Sequence, residues 1–154
     1  MARYACPQRG PAPAGYLKGM ALTYGLATSQ YKLGDRFALE MAKAAGAAPR
    51  SDALAHYEAE FAALGLDCNT AGQATLRHLF TLLTGLGMRE SSGRACEGRD
   101  LSADNLTAET AEAGLFQTSF NLRHAHPLLP DLFNQYKGSS ELLDVFMEGV
   151  TPRP

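Results

Sequence analysis

The sequence predicts a mainly α protein, a helical domain built around one central helix with little or no β structure. Two observations lead to this. From Thr70 onwards, apolar residues recur at Leu76, Leu79, Phe80, Leu83 and Leu86, the three-and-four spacing of one helix face. Upstream lie two alanine-rich segments, each bounded by glycine or proline, whose residue types favour helix.

Residues 1–15 carry Pro7, Pro11 and Pro13 with Gly10 and Gly15, and read as an irregular lead-in. A first helix is expected over Tyr16–Thr28, interrupted by Gly19 and Gly25. A second spans Asp35–Ala45, stopped by Gly46 and Pro49. A third covers Ser51–Leu64, capped by Ser51 or Asp52, with Leu54, Tyr57, Phe61 and Leu64 as its buried stripe and Gly65 after it. These segments form the scaffold, their small residues allowing close packing around the central helix.

The central helix starts from Thr70-Ala-Gly-Gln73, the spacing of a capping box. It ends at Ser91-Ser92-Gly93. Two short helices, Leu128–Tyr136 and Ser139–Met147, complete a single domain over 16–150, and 151–154 is a tail.

With 154 residues and 45% hydrophobic content, the chain is long enough for one domain with a real core. Charged residues make up 19% and the formal net charge is -2, with no basic stripe interleaved with aromatics, which argues against a nucleic-acid partner. No apolar run approaches the roughly 20 residues of a membrane span. The first residues lack the apolar core of a signal peptide, so either the protein stays inside the cell or a signal has been removed. Cys6, Cys68 and Cys96 show no metal-ligand spacing; one bridge plus a free thiol, or three free thiols, are both open. A bridge from Cys68 or Cys96 would staple an end of the central helix. His124 and His126 flank Ala125, but no third metal ligand accompanies them, and groove or surface histidines are the expectation.

Counting four on from Leu86 gives Glu90. A carboxyl at the end of an apolar stripe is partly desolvated, which favours the protonated form that a general acid needs. Downstream, after a polar loop, comes Ala111-Glu-Ala-Gly-Leu-Phe-Gln117, followed by Thr118, Ser119, Phe120 and Asn121. A helix ending Glu90-Ser91, paired with Ala-x-Gly-Leu-Phe-Gln, resembles the lysozyme-like superfamily, specifically lytic transglycosylases and goose-type lysozymes. In that family Glu-Ser closes the catalytic helix, and Gly-Leu-Met-Gln crosses the glycan groove at a spacing like that from Glu90 to Gly114. The resemblance covers about a third of the chain.

The resemblance implies a lysozyme-like fold and cleavage of a β-1,4-linked amino-sugar polymer, most directly peptidoglycan, by a secreted or periplasmic enzyme without cofactor. Glu90 would be the general acid. Ser91, Gly114, Leu115, Phe116, Gln117, Ser119 and Asn121 would contact the glycan, with Phe116 or Phe120 stacking on a sugar face. Inverting glycosidases need a second carboxylate about 6.5–9.5 Å from the acid and retaining ones about 5–5.5 Å. Asp100, Asp104, Glu109 and Glu112 are the candidates.

Two departures from the family matter. Goose-type lysozymes carry an Asp two residues after the motif Gln, where this chain has Ser119. That favours the transglycosylase pattern, in which a single Glu acts as acid and base. The Ala-Tyr-Asn-Ala-Gly stretch usual further on is absent, leaving Tyr136 as a substitute and a compact variant or a piece of a longer chain as the explanations. The alternatives are a glycan-binding or scaffolding domain without turnover, and a chitin- or chitosan-cleaving enzyme of the same fold.

Overall fold

The computed structural model describes residues 7–100, 104 and 107–150. Among these the elements are all helical: α1 (Ala14–Lys32), α2 (Arg36–Met41), α3 (Ala53–His56), α4 (Glu58–Ala63), α5 (Gln73–Ser91), a 3-10 turn (Phe120–His124), α6 (Leu129–Tyr136) and α7 (Leu143–Met147). Between the helices, Ala113 and Thr118 form an isolated antiparallel bridge. The mainly α expectation therefore holds. The sequence expected no helix at Phe120–His124.

The chain forms two compact units, one of residues 21–84 and one of residues 1–20 with 85–154. In the first of these, Asp35 caps α2 by accepting from the N–H groups of Phe37 and Ala38, both at 3.0 Å. Asp52 caps α3 through Leu54 and Ala55 (2.9 and 3.2 Å). Each cap holds N–H groups that an isolated helix start leaves without partners. The expected Ser51–Leu64 helix breaks at Tyr57, which ends α3 and begins α4 with φ -98 and ψ 16. The break rotates the phase of the stripe. Leu54 and Phe61 are buried, whereas Tyr57 and Leu64 are 42% and 75% exposed.

The start of α5 also differs from the expected capping box. Leu76 N–H donates to Gly72 O (3.0 Å), so Gly72 rather than Thr70 stands at the cap. The Thr70 hydroxyl instead bonds the Asp67 carboxylate, which also accepts from Asn69 N–H (2.7 Å). These two bonds, Thr70's first, hold the Asp67 carboxyl below its usual range.

On α5, Leu76 is fully buried and Phe80 meets Tyr24 edge-on at 5.5 Å. Burying a leucine or phenylalanine side chain contributes about 1.5–3 kcal/mol. The neighbouring face of the helix, through Leu79 and Leu82, packs on a cluster of Leu54, Phe61 and Cys68.

His78 is on this second face and is 2% exposed. Its ring stacks on Phe61 at 4.6 Å, and its Nδ1 is 3.3 Å from Cys68 Sγ. Burial first, and then the charges of Asp67, Glu58 and Asp52, raise the Cys68 thiol. The other ring nitrogen, Nε2, is buried and has no hydrogen-bond partner among the described residues. Both Cys68 and Cys96 are free thiols, so neither staples α5; Cys6 lies outside the described residues.

A pH dependence follows. Burial first, then Arg77, lowers the His78 pKa from 6.5, with Asp67 opposing. Below 6.5 the unfolded chain takes up a proton that the folded chain refuses. Stability is therefore complete above that pH and falls as the pH drops through the lowered folded value. The slope from one proton reaches about 1.4 kcal/mol per pH unit. Thermal melts between about pH 7.5 and 5.5 are expected to show this loss, and His78→Gln is expected to flatten it.

In the other unit, Gly15 N–H donates to Glu148 O (3.1 Å), and Lys18 pairs with the Glu148 carboxylate at 2.6 Å. Gly19, expected to interrupt the first helix, is instead a packing point. A Cβ there would lie 2.6 Å from the Phe146 ring. α7 is shorter than expected because Leu142 adopts a left-handed conformation (φ 63) just before it.

Candidate functional site

The last turn of α5 is set by Tyr16, which is fully buried. A Cβ on Gly87 would come within 2.6 Å of the Tyr16 hydroxyl, and one on Gly93 within 2.8 Å of its ring. The two glycines thus form a socket for this ring on either side of Glu90 in sequence. Burial pushes the Tyr16 hydroxyl up to about 12, so it stays neutral.

The helix ends with two successive left-handed residues, Ser92 (φ 58) and Gly93 (φ 73). Ser92 N–H donates to Met88 O (3.1 Å) and Gly93 N–H reaches back to Gly87 O (3.0 Å). Ser91, 3% exposed, donates its hydroxyl to Gly87 O (3.0 Å) and accepts from Arg94 N–H (3.1 Å). The left-handed ending is a common helix stop.

The buried face therefore leaves the expected line. It passes through Gly87, Met88 and Ser91, whereas Leu86 is 41% exposed. Glu90 is half-buried beside that face rather than at its end. Among the described residues its carboxylate has no hydrogen bond or ion pair. Arg94, three residues beyond Ser91, is 3.9 Å from the Glu97 carboxylate, and its Nη1 is buried without a hydrogen-bond partner among the described residues.

The segment after α5 bonds to the Gly-Leu-Phe-Gln stretch. Gly114 N–H donates to Glu97 O (2.9 Å), and Asp100 N–H to Glu112 O (3.1 Å). The Gln117 side-chain amide donates to Gly98 O (3.2 Å) and Gly114 O (2.9 Å). The stretch is a closed turn rather than extended chain, with φ 78 at Gly114 and φ 44 at Gln117. Leu115, Phe116 and Gln117 are all half-buried, so no inward–outward alternation exists. A Cβ at Gly114 would meet nothing within 4 Å, so its glycine serves the left-handed conformation and not a close approach.

Past this turn lies a depression of about 440 Å³, lined by Thr118, Ser119, Phe120, Arg123, Leu132 and Phe133 with neighbours. Phe120 and Phe133 meet edge-on at 5.1 Å, and the Arg123 guanidinium sits 3.9 Å above the Phe120 ring. Arg123 also pairs with Glu109 at 2.7 Å. Ser119 donates its hydroxyl to the Asn121 side-chain oxygen, and Asn121 N–H donates to Glu109 O (2.9 Å). Arg123 is thus taken up by Glu109 and the Phe120 ring, while the exposed parts of Phe120 and Phe133 suit a flat ligand.

Of the four further carboxylates, Glu109 is tied to Arg123, Glu112 is half-buried, and Asp100 and Asp104 are exposed. His126 Nδ1 accepts from Leu128 N–H (3.2 Å), while His124 is exposed. Sequence reasoning singled out neither Arg123 nor Phe133. Their signal would have been the helical spacing of Leu129, Leu132 and Phe133, but their meeting with Phe120 depends on the fold.

No protein-family model matches the chain, and comparisons with curated proteins and with solved structures likewise find no match.

Proposed function

We propose that this chain is a lysozyme-like domain that cleaves a β-1,4-linked amino-sugar polymer, peptidoglycan first, with Glu90 as general acid. The observation that supports this most is the direct bonding of the two motif halves. The chain leaving the Glu90 helix pairs through Glu97 O and Gly98 O with Gly114 and Gln117.

In this reading, the Glu90 carboxyl protonates the glycosidic oxygen as the C–O bond breaks, and charge builds on the departing sugar ring. A water, or the sugar's own 6-hydroxyl, then completes the reaction. Asp100, Asp104, Glu109 and Glu112 are the candidates to activate water, and Glu109 is the one held by Arg123. The protein would act outside the cytoplasm, where the polymer lies.

A second reading, glycan binding without turnover, is favoured by the Phe120–Phe133 depression, whose lining residues do not include Glu90. Incubation with purified peptidoglycan separates the two. Cleavage is expected to clear turbidity and release soluble fragments. Mass spectrometry then distinguishes reducing-end sugars, from a hydrolase, from 1,6-anhydro ends, from a transglycosylase. Retention on the polymer without fragments would support the binding domain instead. Release from chitin but not from peptidoglycan would reassign the substrate.

A further inference from the structure

The N-terminus of α5 borders a separate depression of about 420 Å³, whose lining includes Asp67, Gly72, Gln73, Ala74, Arg77 and His78. The helix is 19 residues long and has no acidic residue in its first turn. Its dipole and its first N–H groups are therefore left without a negative partner from its own first turn. A helix end of this kind attracts anions.

His78 points to a ligand independently. The side chain is 2% exposed, Phe61 covers one ring face, and Cys68 takes Nδ1. What remains is Nε2, buried and without a hydrogen-bond partner among the described residues. Buried polar groups are nearly always satisfied, and a ligand is one way to satisfy this one.

We propose that this depression binds a small monoanionic carboxylate, with one oxygen accepting from His78 Nε2–H and the other from Arg77 and the first-turn amides of α5. The charge balance selects a monoanion. Arg77 is the cation among the lining residues, and the Asp67 carboxylate stands in the same wall. Its bonds from Thr70 and Asn69 leave its charge in place, which disfavours a dianion such as phosphate. In this proposal the Cys68 thiol, 3.3 Å from Nδ1, donates to it, which leaves Nε2 as the donor nitrogen of the neutral ring.

Acetate titration of the full chain, followed by NMR of the His78 ring and the backbone amides, tests this. The expected result is saturable movement of the His78 Nε2 proton together with the Gln73 and Ala74 amides. Arg77 is exposed, so Arg77→Gln should fold normally and weaken acetate by about tenfold, the value of one charge-assisted bond. Gln73→Pro, tolerated at a first helical position, should weaken it less by removing one amide. Acetate that moves the helix amides but leaves the His78 proton unchanged would overturn the proposal, as would the lack of saturation. Inorganic phosphate binding more tightly than acetate would overturn the choice of a monoanion.

Discussion

Replacing Glu90 with Gln is expected to lower glycan cleavage by about 10²–10⁴-fold, the usual loss when a general acid is removed. The amide has the same shape but no acidic proton. No folded-state bond is lost, because the Glu90 carboxylate has no hydrogen bond or ion pair among the described residues. Stability should therefore stay within about 0.5 kcal/mol of the parent, as for surface substitutions generally. A loss confined to the chemical step should lower kcat and kcat/KM together. Turbidity clearing at the parent rate would remove Glu90 from the mechanism, and equal binding with no cleavage by either protein would support the non-catalytic reading.

Gly93→Ala is expected to be the most damaging single-methyl change near this site. Two effects add. The left-handed φ of 73 costs a residue with a side chain about 1–2 kcal/mol. The new Cβ would also lie 2.8 Å from the buried Tyr16 ring and 3.0 Å from Pro13 Cδ, and such overpacking costs about 1–3 kcal/mol. Gly114→Ala is the control, because φ there is 78 but the Cβ meets nothing within 4 Å. Urea unfolding of the two variants should show Gly93→Ala losing clearly more stability than Gly114→Ala. Equal losses would mean that the Tyr16 contact contributes nothing and the backbone conformation everything.

The residues that local chemistry governs were legible from the sequence. Asp52, one of the two expected caps, holds the start of α3 because a short acceptor can reach amides two and three residues on, and Asp35, expected as the first helical residue, does the same for α2. Ser92 and Gly93 end α5 because that turn needs left-handed backbone, which glycine adopts freely. The helical class, and the burial of Leu76 and Phe80, follow from periodicity alone. So does the presence of Glu90 at the end of the longest amphipathic stretch.

Which face each helix buries was decided by tertiary structure. Periodicity extended the stripe through Leu86 to Glu90, but the buried Tyr16 ring occupies the space that Cβ atoms on Gly87 and Gly93 would fill. The buried face therefore follows Gly87 and Ser91, leaving Glu90 half-buried at its margin. Gly19 read as a flaw in a helix because the Phe146 ring that fills its place comes from far along the chain. The bond between Cys68 and His78 was hidden for the same reason, since a thiol and an imidazole without metal-ligand spacing carry no signal. Spacing along a chain reports local geometry, whereas these contacts depend on which distant side chain occupies a given volume, and only close packing in the folded state settles that.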